Sequence, residues 1–172
     1  MLTLTKKDFL EMPWKNGGGV TTELFRIPAG ESFLFRISCA SVNSDGPFSS
    51  FPNIDRILML IKGNGFHLEG LNTTLTDDQT PIYFQGETPV NCTLVNGPCR
   101  DFNVMTDRSY AKSLISVVKL SQNESIILKA ECDFRFIYDK DAEKLYKLDL
   151  GEQCTILEDY EKSLIVVDVT KL

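Results

Sequence analysis

The segment from Pro13 to Glu23 is the first part of the chain whose residue types could do chemistry. Three successive glycines, 17–19, follow Trp14, Lys15 and Asn16. A glycine backbone adopts positive φ without strain, and its uncovered N–H groups can form a concave nest that holds an anion. The alternative is an ordinary tight turn before a strand. The pattern is not a nucleotide-binding loop, because no strand precedes it and no helix-forming run follows it.

Two later segments, residues 33–39 and 101–107, alternate polar and apolar side chains in the manner of β-strands. The residues of interest on their more polar faces are Arg36, Ser38, Asp101, Asn103 and Met105. In an antiparallel sheet with one wet face these side chains point to solvent, and the residues alone favour that arrangement. In a closed barrel they line the interior, where they need partners or a polar ligand.

The remaining chemistry-bearing residues give weaker signals. Arg56 precedes the apolar run 57–61 and could hold a carboxylate through two parallel hydrogen bonds, although a surface ion pair is its more usual role. A single histidine, His67, excludes a histidine-rich metal site. Five cysteines without C-x-x-C spacing indicate neither a zinc site nor a disulfide framework. We therefore expect no metal ion, no cofactor and buried free thiols in a reducing compartment. A metal site of carboxylates alone stays open, but no EF-hand-like spacing supports it.

Short runs rich in Val, Ile, Phe, Thr and Tyr, separated by Gly and Pro, must position these residues. They predict an all-β sandwich or barrel. The predicted strands are 20–27, 33–41, 56–62, 66–69, 81–84, 91–95, 101–107, 113–119, 125–130, 134–138, 144–148 and 163–169. A helical turn is expected only at residues 6–11, where Thr5 could cap it. The loops change near residues 108–111 from Gly/Pro/Asn-rich to charged.

Length and charge narrow the class of protein. A chain of 172 residues predicts one domain with a sizeable core. Its net charge of −6 argues against direct binding of nucleic acid and against docking on anionic membranes. No signal-peptide pattern and no membrane-length apolar run occur, so we expect a cytoplasmic protein. A homodimer is plausible, but no pattern indicates one.

Five motifs occur in a fixed order between residues 12 and 108. They are Pro13-Trp14-Lys15-Asn16-Gly17-Gly18-Gly19-Val20-Thr21-Thr22-Glu23, Phe35-Arg36-Ile37-Ser38, Gly46-Pro47-Phe48-Ser49-Ser50-Phe51-Pro52-Asn53-Ile54-Asp55-Arg56, Phe84-Gln85-Gly86-Glu87, and Asp101-Phe102-Asn103-Val104-Met105-Thr106 with Arg108. With these motifs the chain resembles the HutD/Ves family of small bacterial proteins. Residues 109–172 carry no motif that extends the resemblance.

The resemblance implies a cupin-like double-stranded β-helix, or jelly roll, with two halves near residues 1–108 and 109–172. It also implies a pocket for a small carboxylate or amide metabolite, formylglutamate-like or urocanate-like, and a role in histidine or amino-acid utilisation. No established catalytic activity comes with it, and one histidine cannot supply the metal set of most cupins. The expected ligand-binding residues are Trp14, Asn16, Thr22, Glu23, Arg36, Ser38, Arg56, Phe84, Asp101, Asn103 and Met105.

Two alternatives to a binding protein remain open from the sequence. One is a metal-free isomerase or hydrolase that uses Glu23 or Asp101 as general base. The other is a protein-interaction module in which the pocket is vestigial. The binding protein is favoured because few nucleophile–base pairs are visible.

Overall fold

The computed structural model describes residues 1–28, 32–77, 80–157 and 159–172. These residues form seventeen β-strands and no helix, so the all-β class predicted from the β-branched and aromatic runs is confirmed. The strands are β1 (Leu2–Thr5), β2 (Leu10–Pro13), β3 (Gly19–Ile27), β4 (Phe35–Val42), β5 (Gly46–Pro47), β6 (Ile54–Lys62), β7 (Phe66–Glu69), β8 (Thr73–Leu75), β9 (Ile82–Gln85), β10 (Asn91–Leu94), β11 (Cys99–Asp107), β12 (Ala111–Leu120), β13 (Ser125–Lys129), β14 (Phe134–Asp139), β15 (Lys144–Asp149), β16 (Gln153–Leu157) and β17 (Lys162–Lys171).

Residues 9–110 form one compact unit with two antiparallel sheets. The six-stranded sheet has the order β2-β3-β4-β11-β6-β9, and the four-stranded sheet has the order β5-β10-β7-β8. Leu58 and Leu60 of the first sheet share a buried apolar cluster with Phe66 and Leu68 of the second. We call the face of the six-stranded sheet that carries Leu58 and Leu60 the inner face. Burial of this apolar surface joins the two sheets of the unit.

Residues 1–8 and 111–172 form the second compact unit. Its five-stranded sheet has the order β1-β15-β14-β17-β12, and β13 pairs with β16. Leucine, isoleucine and valine side chains dominate its core. The unit also holds a buried ion pair: Lys162 Nζ donates to Asp139 Oδ2, with side chains 2% and 4% exposed. The boundary between the units falls between Tyr110 and Ala111, near the predicted change of loop texture.

The helical turn expected at residues 6–11 is wrong. The Asp8 carboxylate accepts hydrogen bonds from the backbone N–H and the hydroxyl of Thr5, at 2.9 and 3.0 Å, and closes a tight turn instead. The chain then enters β2, where Leu10 pairs with Glu23 and Met12 pairs with Thr21. Pairing with β3 satisfies the backbone groups on one side of this edge strand, and no local pattern indicated that pairing.

Other short strands were also missed. The predicted set lacked β1, β2, β5, β8 and β16, and none of these exceeds five residues. Strands this short carry too few alternating positions for a period of two to stand out. The strands of eight residues or more were found within about two residues at each end, because each has several β-branched or aromatic residues.

Candidate functional site

A cavity of about 510 Å³ opens on the inner face of the six-stranded sheet. Its floor comes from the neighbouring strands β4, β11 and β6. Met105 lies opposite Arg36 on β4 and opposite Arg56 on β6, and Asn103 lies opposite Ser38. Directly opposed residues of antiparallel strands share a face, so the alternation brings the polar side chains together. The floor residues are Arg36, Ser38, Ala40, Arg56, Asp101, Asn103 and Met105.

The polar residues of the floor are withdrawn from bulk water. Ser38, Arg56, Asp101 and Asn103 are all buried. Exposure to solvent, which the residues alone favoured for the polar faces of β4 and β11, is therefore wrong. The inner face carries both the apolar cluster shared with the four-stranded sheet and the polar residues of the cavity floor.

Two segments build the cavity wall. The hairpin between β2 and β3 contributes residues 12–16 and Thr21, and the segment after β5 contributes Phe48, Ser49 and Phe51. Lys15 is exposed, whereas Trp14 is half-buried and packs against the apolar cluster of the unit. The wall therefore places a cationic group near the mouth of the cavity.

The glycines of the hairpin serve the turn, and the anion-nest interpretation is not supported. Gly17 N–H donates to the Trp14 carbonyl at 3.0 Å, and Gly18 N–H donates to Asn16 Oδ1 at 3.0 Å. A Cβ at Gly19 would lie 2.4 Å from the Ser41 carbonyl oxygen and 3.0 Å from Trp14 Cε3. Glycine at this position therefore allows the Trp14 ring to approach β3 closely.

The guanidinium of Arg56 is the most unusual group in the cavity. Arg56 is 6% exposed, and its Cζ lies 4.9, 5.3 and 5.6 Å from the ring centroids of Phe84, Phe48 and Phe51. Its Nε donates no hydrogen bond, and the side chain forms no ion pair with any residue in the described ranges. Burial lowers the pKa of Arg56 to about 10, with Asp101 opposing the change, so the group stays cationic at neutral pH.

Arg36 is in a different electrostatic state because Glu23 neutralises it. Arg36 Nε donates to Glu23 Oε2 at 2.7 Å, and Arg26 Nε donates to the same oxygen at 3.1 Å. Burial lowers the pKa of Arg36, and the charge of Glu23 opposes that change. Of the two arginines in the floor, only Arg56 lacks a carboxylate partner among the residues described.

Asp101 and Asn103 each carry a buried oxygen that accepts no hydrogen bond, namely Oδ1 in both residues. Asp101 is 3% exposed. Its burial raises the pKa of the carboxyl to about 7, against the opposing effects of the Arg56 charge and the Ala40 backbone N–H. Asp101 therefore exists as a mixture of acid and carboxylate at neutral pH.

Three of the expected residues do not line the cavity themselves. Thr22 lies opposite Cys39, on the other face of the sheet, so Thr21 takes its place in the wall. Glu23 lies on the correct face but is turned toward Arg36 and Arg26. Phe84 lies opposite Arg56 and supports it through its ring.

Several residues of the cavity wall were not among the expected ligand-binding residues. Lys15, Phe48 and Phe51 lie in segments that the motifs already included, and the signal for Phe48 and Phe51 was their place in the Gly46–Arg56 motif. Which residues of a loop turn inward depends on its path, which a local pattern does not give.

No cluster of three or more metal-binding side chains occurs within the described part of the chain. The sole histidine, His67, has its Nδ1 2.9 Å from the hydroxyl of Thr74 on the neighbouring strand and does not line the cavity. Across the same ranges, no helix is long and apolar enough to cross a membrane.

Antiparallel sheets of this order, with a polar cavity on an inner face, define an all-β cupin-like protein. The model of the HutD family matches residues 6–167, and the chain belongs to this family. The HutD/Ves resemblance of the motifs is thus confirmed.

Several known proteins are similar to the chain in sequence or in fold. The chain is 37% identical over 107 residues to an uncharacterised 21.2 kDa protein from the hutC 3′ region of Pseudomonas putida, covering 59% of this chain and 56% of that protein. It is 38% identical over 118 residues to protein Ves of Citrobacter koseri, covering 64% and 61%. The matches thus span less than two thirds of these relatives. HutD from Pseudomonas fluorescens has the same fold, with a TM-score of 0.72 at 24% identity over 99% of this chain and 98% of that one.

Proposed function

We propose that the chain binds a small carboxylate or amide metabolite in the cavity, without a metal ion, and that it modulates histidine or amino-acid utilisation. The observation that carries this proposal is the state of Arg56. Its guanidinium is buried and cationic, it lines a cavity, and it has no carboxylate partner within the described residues.

The cost of burying the Arg56 cation supports an anionic ligand. Removing an unpaired cation from water costs several kcal/mol. The three rings around Arg56 offset part of this cost, since a cation–π contact contributes about 0.5–2 kcal/mol. A carboxylate would supply the missing charge and two parallel hydrogen bonds, for which the planar guanidinium is well suited. Arg56 is therefore the anion anchor of the proposal, and Arg36, already held by Glu23, is not.

The neighbouring amides suit a ligand that also donates a hydrogen bond. Asn103 Oδ1 is a buried acceptor without a donor, and Asn16 lies in the cavity wall. A formylglutamate-like compound carries carboxylates and an amide N–H, and a urocanate-like compound carries a carboxylate and a ring N–H. Both chemistries fit one guanidinium and one free carboxamide oxygen.

The metabolic context of the proposal comes from the names of relatives. The family is called HutD, and the Pseudomonas putida relative is named for its place in the hutC 3′ region. These names support histidine utilisation as the setting, and a ligand from that setting would carry at least one carboxylate.

Isothermal titration calorimetry with N-formyl-L-glutamate, urocanate, histidine and glutamate tests the proposal. We expect saturable binding of at least one compound, and at least a tenfold loss of affinity in Arg56→Met. The matched control is Arg135→Met in the other unit, whose guanidinium is bound to Asp168 at 2.6 and 2.7 Å. Absence of binding by all four compounds up to millimolar concentration, or equal affinity in Arg56→Met, contradicts the proposal.

Asp101 favours a second candidate, a metal-free isomerase or hydrolase in which this carboxylate abstracts a proton. A base with a pKa of about 7 is matched to work at neutral pH. Glu23 is less suited, because its Oε2 already accepts from Arg36 and Arg26. Turnover of a bound compound, followed by proton NMR and lost in Asp101→Asn with binding retained, would support this candidate. Unchanged compound after prolonged incubation eliminates it.

A further inference from the structure

We infer that the cavity takes up a proton on Asp101 together with its anionic ligand, an inference that rests on the proposed anion site at Arg56. The proposed site thus binds an anion together with one proton. The bound pair adds little net charge beside floor side chains that are themselves buried.

The charge balance of the cavity floor favours this proton uptake. Without a ligand, the cation of Arg56 and the carboxylate of Asp101 partly compensate each other on the cavity floor. An anion bound to Arg56 would put a second negative charge beside Asp101. Two like charges in a medium of low dielectric repel strongly, and a proton on one of them removes the repulsion.

The charged and titratable groups around Asp101 offer no other compensation. They come from each strand packed against it: Arg56 on β6, Arg36 on β4, Cys92 on β10, and Arg100 and Cys99 on β11. Burial raises the pKa of both thiols to about 12, so they are neutral. Arg36 is held by Glu23. Only Asp101 among these groups changes charge near neutral pH.

Hydrogen bonding on the cavity floor also favours a proton on Asp101. Asp101 Oδ1 and Asn103 Oδ1 are enclosed acceptors on one strand face, and neither receives a hydrogen bond. An ionised Asp101 can only accept, whereas a protonated one donates through its O–H. The O–H of protonated Asp101 can therefore donate a hydrogen bond, either to Asn103 Oδ1 or to a ligand carboxylate. An unpaired buried acceptor costs about 1–3 kcal/mol, so the protonated form is favoured once the anion is present.

The pKa of Asp101 places this proton uptake in a pH range that can be measured near neutrality. Burial raises the pKa of its carboxyl to about 7 in the empty cavity, and a bound anion raises it further. By linkage, ligand affinity then falls as the pH rises above about 7, by up to tenfold per pH unit where one full proton is taken up.

Calorimetry of the full chain in buffers of different ionisation enthalpy measures the exchange directly. N-formyl-L-glutamate and glutamate are the probes, because their carboxylates do not titrate between pH 6.5 and 8.5. At pH 7.5 we expect an uptake of about half a proton per bound probe, seen as a dependence of the binding enthalpy on PIPES, HEPES or Tris. Asp101→Asn should still bind and show no uptake. Asp133→Asn, at a half-buried aspartate of the other unit whose Oδ2 accepts from the Lys171 backbone N–H, should behave as wild type.

The outcomes separate the two claims. Probe binding with an enthalpy that is the same in all three buffers overturns the proton uptake and leaves the anion site standing. Uptake that persists in Asp101→Asn also overturns it, because another group must then carry the proton. If neither probe binds wild-type protein, the anion site itself fails and the inference fails with it. Where Asp101→Asn does not fold, a wild-type binding enthalpy that is the same in all three buffers still overturns the proton uptake.

Discussion

Arg56 and Asp101 bear opposite charges on one cavity floor, yet they form no ion pair. Arg56 lies opposite Met105 on β11, whereas Asp101 lies opposite Leu60 on β6, so the two side chains start at different levels of the sheet. Each alters the pKa of the other, but Arg56 Nε and Asp101 Oδ1 both remain without a hydrogen bond. A cavity floor with these two incompletely paired charges is suited to bind a ligand that supplies the missing hydrogen bonds.

Replacement of Asp101 by asparagine should change the pH dependence of stability. The pKa of an aspartate is about 4 in an unfolded chain and that of Asp101 is about 7 in the folded protein. Because the folded-state value is raised, the stability that this group contributes is complete below pH 4 and is lost as the pH rises through 7. Asp101→Asn should match wild type at pH 4 and exceed its free energy of unfolding at pH 8 by roughly 1–4 kcal/mol.

Urea unfolding of both proteins at pH 4, 6 and 8 measures this difference. Asp133→Asn is the control, and its difference from wild type should be the same at all three pH values. A constant difference for Asp101→Asn would mean that its carboxyl ionises alike in the folded and unfolded chain.

Two buried cations should respond differently to truncation. Arg56 has no carboxylate partner among the described residues, whereas Lys162 is bound to Asp139 in the core of the other unit. At pH 5, Arg56→Met should stay within about 1 kcal/mol of wild type in free energy of unfolding, because it leaves no ionised partner behind. Lys162→Met should lose about 3 kcal/mol or more, because the Asp139 carboxylate is left buried and unpaired. Equal losses in the two variants would show that Arg56 has a partner equivalent to Asp139.

Loss of the Glu23 charge should weaken the fold and strengthen anion binding. Glu23 accepts from Arg36 and Arg26, and all three side chains are less than one fifth exposed. Glu23→Gln should lower the free energy of unfolding by about 1–3 kcal/mol. It should also release the Arg36 cation toward the cavity and raise the affinity for N-formyl-L-glutamate several-fold. The exposed Glu69→Gln serves as control, and unchanged affinity in Glu23→Gln would mean that Arg36 does not act on the ligand.

The hairpin glycines Gly17 and Gly19 should differ in how well they tolerate replacement by alanine. Gly17 has φ of 72° but nothing within 4 Å of an added Cβ, so Gly17→Ala should cost about 1 kcal/mol of backbone strain. Gly19→Ala places its Cβ against the Ser41 carbonyl and the Trp14 ring, so the hairpin must shift. We expect a loss of several kcal/mol and a change in Trp14 fluorescence in Gly19→Ala only. Similar unfolding curves and spectra for both variants would contradict the close approach of Trp14 to β3.

Alternation made the floor of the cavity predictable. A period of two placed Arg36 with Ser38 and Asp101 with Asn103, and the register of β4 and β11 joins these pairs. The same rule explains the error at Thr22: Thr21 and Glu23 share one face of β3, so Thr22 must lie on the other. What alternation does not give is which face becomes enclosed, because that depends on the four-stranded sheet that packs over it.

Arg56 shows where local reasoning ends. A charged residue at the start of an apolar strand usually reaches water, and the sequence accordingly favoured a surface ion pair. Its burial depends on Phe48 and Phe51 from the segment after β5 and on Phe84 from β9, which enclose the guanidinium only in the folded chain.

The most direct test of the account is the NMR signal of Arg56 itself. In a proton–nitrogen correlation spectrum, the Arg56 Nε–H peak is assigned by its absence in Arg56→Lys. Titration with N-formyl-L-glutamate, and in separate samples with urocanate and glutamate, should shift this peak in a saturable manner, because Nε gains its first acceptor. A peak that stays in place up to millimolar concentrations of all three compounds would contradict the claim that the Arg56 guanidinium anchors an anionic ligand.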